Sequence, residues 1–322
     1  MTSPADAVPR VAHEVERLCR NIGIAIQGKS DVVRQVVLCL LAEGHLLLED
    51  VPGTGKTSLA RALASSISLS WHRIQFTPDL LPSDVTGVSI YNQASGRFEF
   101  KKGPVFANVV LADEINRASP KTQSALLEVM EEGTLSTDGQ VYPMARPFMV
   151  VATQNPIDME GTYVLPEAQL DRFLMKVSVG YPTFESEAEI LRTQKAGRVA
   201  TSLQPVLTAA DVVAMTDIVR RVEIAPALEQ YIVAISTATR TMSELRLGVS
   251  PRGSLALLRA ARACAAASGR PYVVPEDVKE MAPAVLAHRV ILQPDAELQG
   301  RTGTELVARA VQSVPVPRAI SA

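Results

Sequence analysis

Three cysteines, 4% aromatic residues and no excess of positive charge limit what this 322-residue chain can be. Cys19, Cys39 and Cys264 are scattered, with no CxxC pair and no histidine in register. That argues against a zinc site or a disulfide framework and for free thiols in a reducing compartment. So low an aromatic content does not suit a base-stacking platform. Lys and Arg number 32 against 34 Asp and Glu, for a net charge of −2; division after Pro182 gives 16 basic and 20 acidic residues before it, and 16 and 14 after. Neither half has the basic surplus of a protein that neutralises phosphate backbones. The longest apolar run, Val36 to Ala42, is far short of the ~20 residues of a membrane-spanning helix. Residues 1–10 carry an acid, a base and two prolines but no apolar segment of a signal peptide. The expectation is a soluble, cytoplasmic protein with no membrane insertion and no nucleic-acid partner.

What the chain does have is material for a core, 47% apolar residues, and a length that favours two domains. Val11, Val15, Leu18, Ile22 and Ile26 recur at helical spacing. A second helix is expected from Ser30, as N-cap, to Ala42. Short apolar runs at His45–Leu48, Arg73–Phe76, Val109–Leu111 and Phe148–Ala152 predict strands separated by helices, hence a parallel sheet covered on both faces. Val88–Phe100 and Gly133–Pro143 read as two inserted hairpins. After Tyr181-Pro182-Thr183 the strand pattern stops. Helices are expected near Glu185–Lys195, Ala209–Arg220, Pro226–Arg240, Pro251–Ser268 and Glu276–Leu286, with a Pro-containing tail after Ser313.

The strongest chemical signal is Asp50-Val51-Pro52-Gly53-Thr54-Gly55-Lys56-Thr57-Ser58, a glycine turn between a strand and a helix. Glycines let backbone N–H groups converge on phosphate oxygens, and the helix N-terminus adds partial positive charge. Lys56 can reach the β- and γ-phosphates of ATP, and the Thr57 hydroxyl can ligate Mg2+. The usual pattern opens with glycine where Asp50 stands. About 55 residues on, the Val109–Leu111 strand ends in Asp113-Glu114, which puts Asp113 beside the Mg2+ shell and Glu114 where it can polarise a water.

These segments resemble an AAA+ ATPase, and more narrowly the MoxR family. The resemblance is carried by Gly44-His45-Leu46-Leu47-Leu48-Glu49, Asp113-Glu114-Ile115-Asn116-Arg117, Ala152-Thr153-Gln154-Asn155-Pro156 and Pro166-Glu167-Ala168-Gln169-Leu170-Asp171-Arg172-Phe173. It covers nearly all of residues 22–182 and continues more weakly to about 290. It implies an α/β fold: a parallel-sheet P-loop core with inserted β-hairpins, followed by an all-α lid. The expected division is an N-terminal helix or linker (1–27), the nucleotide-binding domain (28–182), the lid (183–295) and a C-terminal tail or helix (296–322).

The resemblance also implies roles. Asn155 matches sensor 1 and would orient the attacking water with Glu114. Arg172 matches the arginine finger that acts on a neighbouring subunit's nucleotide; the alternative is a salt bridge to Asp171 or another nearby acid. Arg252 matches sensor 2, in the first turn of a lid helix behind Ser250-Pro251, reaching for γ-phosphate; the alternative is an exposed arginine. Ile26 and Gly28 match the adenine side, although Ile26 also suits plain core. Gln75 matches the polar residue that couples Glu114 to substrate state. Arg117 and Lys121 read either as contacts to an adjacent protomer or as a solvated helix face. Trp71, His45 and the methionines read as packing. The implied protein is a Mg2+-dependent ATPase in a homo-oligomeric, hexameric ring, chaperone-like toward partners that often carry von Willebrand factor A domains. A magnesium-chelatase-like motor, a nucleic-acid motor and a monomeric small-molecule kinase are the alternatives. Charge and composition argue against the nucleic-acid motor, and a neighbour-directed arginine followed by a lid argues against the kinase.

Overall fold

The structure is a computed structural model and describes residues 4–50, 53–154, 163, 165–185, 187–188 and 203–317. In chain order its elements are α1 (Pro4–Ala25), α2 (Ser30–Leu41), β1 (Leu46–Glu49), α3 (Lys56–Ser66), β2 (Trp71–Gln75), α4 (Pro82–Thr86), β3 (Gly87–Asn92), β4 (Arg97–Lys102), β5 (Val109–Asp113), α5 (Pro120–Glu132), β6 (Thr134–Thr137), β7 (Gln140–Pro143), β8 (Met149–Gln154), α6 (Glu167–Leu170) and β9 (Met175–Val177). The remainder comprises α7 (Ala209–Val219), α8 (Pro226–Thr241), β10 (Leu245–Leu247), α9 (Pro251–Ala267), α10 (Pro275–Leu286), β11 (Ile291–Leu292), α11 (Pro294–Leu298) and α12 (Gly303–Ser313).

Five strands form one sheet in the order β2-β5-β8-β1-β9, every pair parallel. Successive side chains of a strand point to opposite faces, so the apolar runs divide between two cores. Leu46, Leu48, Val109, Leu111, Met149 and Val151 join α1, α2, α3 and the lid helices on one face. Leu47, Val110, Ala112, Val150 and Ala152 join Val85, Leu126 and Leu127 on the other. Burial on both faces is why these strands read as continuous apolar runs instead of alternating ones. The expected parallel sheet, both hairpins (β3–β4 and β6–β7) and the lid helices from Ala209 onward are present.

Some details differ from expectation. β9 went unpredicted because three residues are too few to carry a period; its pairing with β1 makes it a strand. The lid holds a small antiparallel pair, β10–β11, where no strand was expected. Ser30 is the first residue of α2; Lys29 occupies the N-cap position, with no side-chain cap bond. The expected Glu185–Lys195 helix lies mostly outside the described residues. His45 does more than pack: its ring bonds the Met130 carbonyl through Nε2 (2.9 Å) and accepts from the Val150 N–H at Nδ1 (3.0 Å), joining the start of β1 to α5 and β8. Burial holds it neutral, with its pKa pushed down to about 4. α1 lies against α2, α3, α7 and α9, so one apolar cluster runs unbroken from α1 through the sheet into the lid.

Candidate functional site

At the C-terminal ends of β1, β5 and β8 the chain places a glycine turn near two acids. Gly53 (φ 86°) and Gly55 (φ 88°) adopt the left-handed conformation that side chains resist. Gly55 is the N-cap of α3 and supplies no side-chain cap bond, and the positive end of a helix favours an anion. Lys56 Nζ donates to the Asp50 carbonyl at 2.6 Å. Burial lowers the pKa of this ammonium, and the charges of Asp50, Asp113 and Glu114 oppose that shift. Thr57 and Ser58 follow on α3. The acid at position 50 has a structural reason: its carboxylate is buried and accepts from the Gly180 N–H and, at 3.4 Å, from the Ser178 hydroxyl. A glycine here would lose this tie to the segment that follows β9. Lys29, next to Gly28, donates to the Tyr181 carbonyl at 2.6 Å, so the Ile26–Gly28 segment and residues 178–181 converge beside the loop. Val51, Pro52 and Asn155 lie outside the described residues.

Asp113 ends β5, and Glu114 follows in the left-handed region (φ 57°, ψ 50°). Such a conformation costs a non-glycine residue about 1–3 kcal/mol and persists only where its surroundings enforce it. Thr153 on β8 supplies that enforcement, since its buried hydroxyl accepts from the Glu114 N–H at 2.8 Å and donates to Asp113 Oδ1 at 2.5 Å. Glu114 Oε2 accepts from Gln75 Nε2 at 2.9 Å and from Arg117 Nη1 at 2.8 Å. Arg117 therefore turns back onto Glu114, a partner neither sequence reading of it named. Asp113 Oδ2 is held by Arg73, which carried no sequence signal of its own.

The donor set fits ATP-borne Mg2+. Thr57 and Asp113 carry hard oxygen donors near the glycine turn. No group of three or more His, Cys, Asp or Glu side chains forms an all-protein metal cage among the described residues. Mg2+ is usually held this way, by one or two protein oxygens with phosphates and waters completing its shell.

Arg172 and Arg252 sit elsewhere. Arg172 Nε and Arg252 Nη2 each lie 3.1 Å from a different carboxylate oxygen of Glu131, at the end of α5. Met130, the preceding residue, is bonded to His45, which lies just before β1, whereas Lys56 lies beyond its far end. Roughly 13 Å of strand separates these two levels. The structure thus brings Arg252 to Arg172 and keeps both away from Lys56 of the same chain. They line a cavity of about 880 Å³ between core and lid, together with Glu43, Glu131, Arg259 and Arg262.

Arg289 fixes the geometry of that arginine pair, and nothing in the sequence marked it. Its side chain is buried, donating from Nε to Asp171 Oδ1 (2.7 Å), from Nη2 to the Phe173 carbonyl (2.6 Å) and from Nη1 to the Leu174 carbonyl (3.2 Å). Burial lowers its pKa, and Asp171 opposes the shift. Asp171 Oδ2 in turn accepts from the hydroxyl of Ser250, the N-cap of the helix that begins Pro251-Arg252. Gly253 leaves room for this: a Cβ there would sit 2.6 Å from Val249 Cγ1 and 3.0 Å from Arg289 Cδ. Breaking a buried ion pair from one side costs about 3–5 kcal/mol. Arg289→Met should lower unfolding stability by that amount in a urea titration, and Arg289→Lys by less. A midpoint unchanged in Arg289→Met would remove Arg289 from this role.

A parallel sheet in this strand order, with a phosphate loop after β1, an acid pair ending β5 and a helical lid behind, defines an AAA+ P-loop ATPase fold. Comparison with known proteins narrows this. Residues 45–175 match the profile of the ATPase family associated with various cellular activities (AAA), and residues 237–310 match the AAA lid domain. Chaperone MoxR1 of Mycobacterium tuberculosis is 42% identical over 98% of this chain and 85% of its own length. YeaC of Bacillus subtilis is 49% identical over 98% of both chains. A crystal structure assigned as an ATPase, from Cytophaga hutchinsonii, superposes with a TM-score of 0.90 at 39% identity, covering 97% of this chain and 98% of that one. The chain belongs to the MoxR family of AAA+ ATPases. No described helix is long and apolar enough to cross a membrane.

Proposed function

We propose that this chain hydrolyses ATP with Mg2+ as a head-to-tail homo-oligomeric ring, hexameric as the family resemblance implies, and uses the cycle to remodel a partner protein bearing a von Willebrand factor A domain. The observation that carries this reading is the meeting of Arg172 and Arg252 on Glu131, at the end of the sheet away from Lys56. Two guanidinium groups so placed suit the nucleotide of a neighbour better than that of their own chain. Arginine fits the task because its planar, permanently charged fork matches phosphoryl oxygens.

In this scheme Gly53, Thr54, Gly55 and Lys56 cradle the phosphates, while Asp50, Val51, Pro52 and Ser58 frame the loop. Ile26 and Gly28 flank the adenine. Thr57 and Asp113 would hold Mg2+, which when bound would supply positive charge against the phosphates. Glu114, with Asn155 orienting the water, takes the proton of the attacking nucleophile. Arg172 and Arg252 leave Glu131 for the neighbour's γ-phosphate. The three free cysteines suit a cytoplasmic setting.

Sedimentation with a non-hydrolysable ATP analogue tests the ring. The chain should assemble when the analogue is present, and its ATPase activity per chain should fall as protein is diluted. A monomer that stays fully active at high dilution would sink the proposal.

A further inference from the structure

Arg73 connects two parts of the site that the sequence treats separately. It stands on β2, two residues before Gln75, and β2 pairs with β5 so that Gln75 lies opposite Asp113. Its Nε and Nη2 both donate to Asp113 Oδ2, at 3.0 and 2.6 Å, and Nη2 also donates to Gln75 Oε1 at 2.8 Å. The other end of the Gln75 amide donates to Glu114 Oε2 at 2.9 Å. One guanidinium therefore occupies an oxygen of the carboxylate assigned to the metal while orienting the amide that holds the assigned base. With Oδ1 bonded to Thr153, Oδ2 is the oxygen left for a cation, and Arg73 is already there.

We infer that Arg73 is a built-in competitor of the divalent cation at Asp113, a positioning residue whose displacement by nucleotide-borne Mg2+ loosens Gln75 and so one of the two side-chain bonds on Glu114, the other being that of Arg117. A divalent cation on Oδ2 would repel the guanidinium and take up lone-pair density that Arg73 now uses with two N–H groups, so the two cations compete for this oxygen. The Arg73 side chain is 48% exposed against 11% for Asp113, so the guanidinium can swing into water at small cost while Asp113 stays in place. Once Arg73 leaves, the Gln75 carbonyl loses its donor and the amide is free to turn. β2 leads within a dozen residues into the β3–β4 hairpin, so the same release would be felt there.

The inference rests on the proposed nucleotide site, and the test separates the two. A fluorescent ADP analogue is titrated into the full chain, once in EDTA and once in saturating Mg2+, and the ratio of dissociation constants measures what the cation contributes. Arg73→Gln should raise that ratio about three- to fivefold, the size of a half-exposed ion pair, through tighter binding in Mg2+. Arg73→Lys, which keeps the charge, should stay near the parent ratio. Equal loss of affinity in both conditions, or an unchanged ratio in Arg73→Gln, overturns the inference. Melting temperatures of both variants exclude misfolding, since an edge-strand position tolerates either side chain. Analogue binding that survives Lys56→Ala unaltered would instead overturn the nucleotide site itself.

Discussion

Arg172→Ala should lower ATP turnover by roughly 10³–10⁵-fold, the range known for arginine fingers, with nucleotide affinity unchanged. The split follows from position: Arg172 is bound to Glu131 at the end of the sheet opposite its own Lys56, so its removal touches no group that holds the chain's own nucleotide. Complementation gives the sharper form of the test. Lys56→Ala chains cannot bind nucleotide yet still carry Arg172, and Arg172→Ala chains have the converse defect. Mixed in equal amounts they should recover about a quarter of the parent activity, since a quarter of head-to-tail contacts then join an intact loop to an intact arginine. Arg252→Ala mixed with Lys56→Ala should behave the same way. Arg172→Ala mixed with Arg252→Ala should stay inactive, because neither chain presents both guanidinium groups. An Arg252 that served its own nucleotide would leave the Arg252→Ala and Lys56→Ala mixture inactive as well.

Glu114→Gln should cut turnover by about 10²–10⁴-fold, the contribution expected of a general base, while ATP binding persists. The amide keeps an acceptor for the Gln75 and Arg117 donors and leaves the Thr153 bond to the backbone intact, so the left-handed turn survives the change. Phosphate release and binding of a fluorescent ATP analogue, measured on one preparation, separate the two effects. A variant that binds without hydrolysing should also hold its client, and affinity capture with it should enrich a protein with a von Willebrand factor A domain. Turnover at the parent rate would show that another group takes the proton.

Much of this architecture was readable in advance because it rests on local rules. Burial on both faces makes residues 46–48, 109–112 and 149–152 continuous apolar runs, and the glycines at 53 and 55 announce a turn. β9 and the β10–β11 pair were not readable, since two or three residues become strands through partners distant in sequence. The site divides in the same manner. Lys56, Thr57, Asp113 and Glu114 stand in contiguous motifs whose chemistry depends on residue type and spacing. Arg73, Thr153 and Arg289 act through bonds to residues 40, 39 and 118 positions away, and one arginine among many carries no mark of that.

From residues alone came the motifs, the acids and the loop, because residue type and short-range spacing define them. Where each arginine sits was left to the tertiary structure. In sequence Arg252 reads as reaching for a γ-phosphate or as an exposed arginine, with nothing to say which chain's nucleotide it would serve. Packing of the lid, held by the buried Arg289–Asp171 pair, places it with Arg172 on Glu131 instead. Which end of the sheet a side chain reaches depends on how two domains dock, and docking is decided by contacts between residues more than a hundred positions apart.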